Sequence, residues 1–119
     1  MNLKKCTNCK LSDYRTKVVV GKGKLQHNDI LFIGEAPGMG EDETGEAFEY
    51  RSGELLEIML NDALLKSKCD SMPSYFITNT VLCRPVAEED SGKKNRAPTK
   101  VEKSICRRYL DRQIALIGD

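Results

Sequence analysis

A chain of 119 residues is enough for a single domain, which folding alone would bury about two-thirds of its unfolded surface. With 39% hydrophobic and 31% charged residues and a net charge of +1, its composition is that of an ordinary soluble protein; bulk charge neither demands nor excludes a nucleic-acid partner. Residues 1–11 are polar and lysine-rich, unlike a signal peptide, and the longest strongly apolar run, Ile30 to Ile33, is far too short to cross a bilayer, so a reducing cytoplasm and no membrane association are expected.

Three runs read as strands. Val18 to Val20, Ile30 to Ile33 and Tyr75 to Leu82 are rich in β-branched or aromatic residues and bounded by Gly, Asn, Asp or Pro. The second is continuously apolar, as in a strand buried on both faces. His27, just upstream of it, reads as a surface-loop residue. Ser52 can cap a helix from Gly53 to about Leu65, with Leu55, Leu56, Met59 and Ala63 on its apolar face. Thr99 and Glu102 form a capping box after Pro98 and open a helix to about Ile117. Val101, Ile105, Leu110, Ile114 and Ile117 fall near one face of it, with Cys106 beside them. Strands alternating with helices predict an α/β fold with a parallel sheet. Ile117-Gly118-Asp119 stands where the next parallel strand is expected, so the fold reads as truncated after its second main helix, with a sheet edge and part of a helix face left uncovered. A fragment, a truncated product or a module needing a partner are the expected explanations.

Charge is unevenly placed. Glu35 to Tyr50 holds six acidic residues and no basic one, whereas Lys93 to Arg108 holds seven basic residues against Glu102 alone. A basic stripe can meet phosphates; a solvated helix face explains it equally well.

Cysteines carry more information. Cys6 and Cys9 form a C-x-x-C pair, Cys83 follows after 73 residues and Cys106 after a further 22. A C-x-x-C turn can present two thiolates to one centre, and two more thiolates complete four-sulfur ligation of zinc or an iron–sulfur cluster. The alternative is a set of buried apolar cysteines. Cys69, in a polar stretch, reads as an ordinary free thiol.

Gly34-Glu35-Ala36-Pro37-Gly38 follows a strand directly, at the sheet end where open parallel sheets bind ligands. It is neither a P-loop nor a dinucleotide fingerprint, and by itself it is equally a tight connection. Asn79 ends a strand and should share that rim with Glu35. Its amide can accept from uracil N3–H and donate to O4, whereas cytosine presents the reverse pattern. Phe48, in the acidic loop, offers a face for a flipped base. A turn asparagine and a core-plugging phenylalanine are the plainer readings of these two residues.

Together these residues resemble the family 4 uracil-DNA glycosylases, which carry a [4Fe–4S] cluster. The matching stretches are Cys6-x-x-Cys9, Leu31 to Gly38, Glu41-Asp42, Phe48, Arg51-Ser52-Gly53, Leu55-Leu56, Tyr75 to Asn79, Cys83-Arg84-Pro85, Asn95 to Pro98, Cys106 and Gln113-Ile114, collinear over nearly the whole chain. The resemblance implies a uracil-DNA glycosylase-like three-layer sandwich. It implies that Phe48 stacks on a flipped uracil and Asn79 reads its edge. Glu35 and the backbone of Gly34, Ala36, Pro37 and Gly38 would position water or stabilise the developing sugar cation. Cys6, Cys9, Cys83 and Cys106 would hold a structural cluster, with zinc as the alternative, and the partner would be uracil-containing DNA, single- or double-stranded.

The departures are specific. Family members continue through more strands and a His-Pro motif that stabilises the leaving uracil anion; here His27 is the only histidine and lies outside such a motif. Glu46-Ala47 and Glu49-Tyr50 replace residues that are usually basic, Pro or small and apolar, which adds negative charge beside the pocket. Val86 to Lys94 reads as an insertion. Three functions are therefore expected in order. The first is a glycosylase, or its N-terminal part, with little or no excision if these residues act alone. The second is a non-catalytic uracil- or DNA-binding module, associated with a further polypeptide or with replication or repair machinery. The third is a zinc-stapled interaction domain.

Overall fold

The computed structural model describes residues 3–49, 51–67, 73–87 and 94–118. Two short 3-10 turns, Leu3–Lys5 and Lys10–Asp13, precede strand β1 (Ile30–Gly34), helix α1 (Met39–Thr44), helix α2 (Arg51–Ser67), strand β2 (Tyr75–Asn79) and helix α3 (Lys100–Ile117). Among the described residues β1 and β2 form a two-stranded parallel sheet, in register from Ile30 opposite Tyr75 to Gly34 opposite Asn79. This is the α/β arrangement that the alternating elements predict. None of the described helices is long and apolar enough to cross a membrane.

Register is pinned before the strands begin. The Asp29 N–H donates to Ser74 Oγ (3.0 Å) and the Ser74 N–H donates to Asp29 Oδ2 (3.1 Å). A one-residue slip would break both bonds and turn every strand side chain to the opposite face.

Val18 to Val20 is not a strand. Val18 and Val19 are buried, but the Val20 carbonyl accepts from Thr78 Oγ1 (3.3 Å) and Gln113 Nε2 (2.8 Å). Side chains thus occupy an acceptor that a ladder would need. Val19 N–H donates to Leu82 O (2.7 Å), and a single antiparallel bridge forms further on, between Lys22 and Ile77. β2 likewise stops at Asn79 rather than Leu82. Beyond it, the Thr80 and Val81 N–H groups turn to donate to the carbonyls of Gly34 (2.9 Å) and Glu35 (3.4 Å).

Helix α2 begins at Arg51, so Ser52 lies inside its first turn instead of capping it. Its inward stripe is Leu56, Leu60 and Leu64, each half-buried, while Leu55, Met59 and Ala63 are exposed. The expected apolar face is therefore rotated. Helix α3 starts as its capping box predicts: Thr99 Oγ1 accepts from the Glu102 N–H (3.1 Å), and Glu102 Oε1 accepts from the Thr99 N–H (2.9 Å). Its buried residues are Glu102, Leu110, Gln113 and Ile117, whereas Val101 and Ile114 are exposed. Both buried polar groups are satisfied, Gln113 by Val20 and by the Thr78 hydroxyl (2.7 Å). The short helix α1 has no sequence pattern to announce it. It is held by Asp42, a buried carboxylate that accepts from the Thr16 and Lys17 N–H groups (2.8 and 3.2 Å).

Two apolar clusters result. One gathers Leu3, Leu11, Val18, Val81, Leu82 and Cys83, with Cys9, Cys106 and Tyr109 against it. The other gathers Val19, Ala47 and Ile77, with Phe32, Phe48, Leu56 and Tyr75 against it. His27 is exposed in the loop before β1. Cys69 and Tyr50 lie outside the described residues. The Val86 to Lys94 segment is pinched at its base by a Val86–Asn95 bridge and an Ala87 N–H to Lys94 O bond (2.8 Å), and its residues 88–93 also lie outside.

Candidate functional site: a strand-end rim and a four-cysteine cage

Parallel pairing sets Gly34 opposite Asn79 at the carboxyl end of the sheet. Phe48 joins them there. A Cβ built on Gly34 would stand 2.5 Å from Asn79 Oδ1 and 2.7 Å from Phe48 Cε1, so the amide and the ring both close on a backbone that only glycine leaves open. Asn79 is buried and Phe48 half-buried. Phe48 also holds φ at 54°, the left-handed region, which for a bulky residue costs on the order of 1–3 kcal/mol. Behind it Gly53 lets α2 approach, since a Cβ there would run into the Phe48 carbonyl oxygen.

The Gly34 to Gly38 turn is latched to the segment after β2. In addition to the two backbone bonds above, Thr80 Oγ1 donates to the Glu35 carbonyl (2.6 Å). Glu35 is exposed, Ala36 half-buried and packed on the cysteine-side cluster, and Pro37 buried. The Gly38 N–H donates to Glu41 Oε1 (3.4 Å) and opens α1. Asn95, which accepts from Arg84 Nε (2.6 Å), comes to the same turn: its Nδ2 lies 3.7 Å from a Cβ placed on Gly38.

The four cysteines come together from three separate parts of the chain. Cys6, Cys9, Cys83 and Cys106 all line one small cavity of about 20 Å³, partly open to solvent, walled by Leu3, Leu11, Val18, Leu82 and Ile105. No disulfide joins them; Cys83 is buried and the other three half-buried. The Cys106 thiol is pushed up to about 11, chiefly by burial, with a backbone hydrogen bond at Leu82 opposing the rise and Cys83, Cys9 and Cys6 adding to it. Burial likewise raises Cys83, while a hydrogen bond from Arg15 opposes it. Among the described residues no group of three or more His, Cys, Asp or Glu side chains is arranged to hold a metal ion. The thiols surround a space; they do not converge on one point. The donor set is all sulfur, with no imidazole or carboxylate in the wall.

Sequence reasoning did not find Arg15, Asn8 and Tyr109, which stand around this cage. Their partners lie 9–103 residues away, so no local pattern marks them.

A sequence profile of the Uracil DNA glycosylase superfamily matches residues 20–119. The chain belongs to this superfamily. The Thermotoga maritima type-4 uracil-DNA glycosylase is 40% identical over 116 residues, 98% of this chain and 54% of that protein. The Saccharolobus solfataricus type-4 uracil-DNA glycosylase is 41% identical over 115 residues, 97% of this chain and 48% of that protein. The corresponding protein of Sulfurisphaera tokodaii is 40% identical over 112 residues, covering 94% and 46%. The chain thus spans about half the length of the curated relatives it matches, as their N-terminal portion.

Proposed function

We propose that the chain is the base-reading, cluster-bearing part of a uracil-DNA glycosylase. The observation that carries this reading is the convergence of the Phe48 ring and the Asn79 amide on Gly34. A uracil flipped from DNA stacks on Phe48, while Asn79 accepts from N3–H and donates to O4. Cytosine reverses the edge pattern, so a fixed amide rejects it, whereas thymine presents the same edge and differs only by its C5 methyl group. The exposed Glu35 carboxylate sits where water attacks C1′ as the N-glycosidic bond breaks, or where it stabilises the sugar cation. Products are an abasic site and free uracil. Lys100, Lys103, Arg107 and Arg108, all exposed on α3, supply the phosphate contacts.

Cys6, Cys9, Cys83 and Cys106 hold a [4Fe–4S] cluster in this reading. When bound, the cluster supplies a covalent staple between the N-terminal turn, the loop after β2 and α3; hydrolysis needs no redox step. A zinc ion is the weaker fit, because its four sulfurs must all lie about 2.3 Å from one point.

The test begins with anaerobically purified protein, its visible spectrum and its iron and sulfide content. Uracil-containing single-stranded DNA follows, with abasic product read by alkaline strand cleavage. About four irons per chain, together with product that disappears in Asn79→Ala, supports the whole reading. Uracil binding without product assigns the chain the base-reading role alone. A colourless, zinc-loaded protein rejects the cluster.

A further inference from the structure

We infer that Arg15 and Tyr109 are positioning residues for the sulfur cage, preassembling its segments and hydrogen-bonding ligand sulfurs directly. The inference rests on the cluster reading proposed above and deepens it.

The geometry of each residue is specific. Arg15 sits just past the second 3-10 turn, its N–H donating to Leu11 O (3.2 Å). One guanidinium nitrogen, Nη1, donates both to the Cys6 carbonyl and to Cys83 Sγ, the latter at 3.5 Å. It therefore crosses from the N-terminal turn to the loop after β2. Tyr109 makes the other crossing, from α3 to the N-terminal turn. Its Oη lies 3.4 Å from Cys6 Sγ and accepts from Asn8 Nδ2 at 2.7 Å. Asn8 takes one of the hydroxyl's two lone pairs, so against a protonated thiol either atom can donate. A metal-bound thiolate has no proton of its own, so Tyr109 can only be the donor.

Each residue thus binds two cysteine-bearing segments and places one N–H or O–H on a sulfur. Hydrogen bonds to ligand sulfurs weaken iron–sulfur covalency and set the properties of a cluster, and partners of this kind typically change metal retention 10–100-fold. A residue serving only to pack the fold would leave those properties alone.

The experiment compares anaerobically purified wild type with Arg15→Gln, Arg15→Lys and Tyr109→Phe. Three quantities are read: iron and sulfide per chain, the rate of visible bleaching by a ferrous chelator, and the Fe–S(Cys) stretching bands in resonance Raman spectra. Tyr109→Phe and Arg15→Gln are expected to bleach about tenfold faster with bands moved to higher frequency. Arg15→Lys, which keeps the charge and loses the fork, should recover part of the rate. Loaded variants that match a loaded wild type in rate and bands overturn the inference alone. A wild type that takes up no iron overturns the cluster reading and this inference with it.

Discussion

Gly34→Ala is the sharpest probe of the rim. Gly34 lies in β1 with an ordinary extended backbone, so alanine is tolerated by the chain itself and only its Cβ matters. That atom would meet Asn79 Oδ1 at 2.5 Å and the Phe48 ring at 2.7 and 2.9 Å. Each distance is roughly 1 Å short of the 3.5–4.0 Å at which such atoms pack. All three atoms belong to side chains, so the sheet can survive while the ring and the amide retreat. Overpacking costs about 1–3 kcal/mol, and the entropy removed from the unfolded chain returns about 0.4–1 kcal/mol. The expected net loss is about 1–2 kcal/mol, read by urea unfolding followed by circular dichroism. Uracil affinity should fall much more than stability, by at least about tenfold if one well-placed hydrogen bond worth about 1.4 kcal/mol is lost. Titration of free uracil, followed at the Asn79 side-chain amide by NMR, measures it. A folded Gly34→Ala protein that binds uracil within twofold of wild type would show that the base does not sit between Phe48 and Asn79.

Three further outcomes are expected. Gly53→Ala reverses the sign that helix propensity predicts: alanine should stabilise α2 by about 1 kcal/mol, but a Cβ driven against the Phe48 carbonyl should instead destabilise by roughly 2–3 kcal/mol, seen in the melting temperature. Cys83→Ser should reduce iron from about four per chain to near zero and lower the cooperativity of unfolding. Glu102→Gln removes a carboxylate whose oxygens each take an Arg96 guanidinium N–H at 2.7 Å and should cost about 2 kcal/mol near neutral pH. The Arg96 hydrogen bonds hold the Glu102 carboxyl below its usual range, so its contribution is complete above the unfolded value of about 4.3 and is lost as pH falls through the lower folded value. Urea midpoints measured from pH 6 to pH 2 should therefore converge for wild type and Glu102→Gln at the acid end.

What the sequence revealed was what local chemistry determines. The Thr99–Glu102 box needs only four consecutive residues, and it opened α3 where expected. The apolar Ile30 to Ile33 run and the strand ending at Asn79 are likewise local, and parallel pairing then placed Gly34 opposite Asn79. Val18 to Val20 misled because a β-branched run signals burial as strongly as it signals pairing; Gln113, 93 residues away from Val20, takes the carbonyl that a ladder would use. Helix α1 was illegible because its only buried residue is an aspartate satisfied by distant amides. The apolar stripe of α2 was legible at Leu56 and not at Leu60 and Leu64, since Leu55 and Leu56 are equally hydrophobic and only packing chooses between the two stripes.

The rim and the cage share one piece of backbone. Only Thr80, Val81 and Leu82 separate Asn79 from Cys83, and Val81 and Leu82 are fully buried in the cluster-side core. The same three residues take bonds from both directions: Thr80 and Val81 fasten to the Gly34–Glu35 turn, and the Leu82 carbonyl accepts from Val19. Displacing Cys83 therefore pulls on the strand end that carries Asn79, whereas Phe48 packs in the other apolar cluster, away from the cage. A structural cluster here would act on the chemistry through position, by fixing where the strand ends. This asymmetry distinguishes the two sites experimentally: loss of the staple should loosen the base rim, and damage to the rim should leave iron content unchanged.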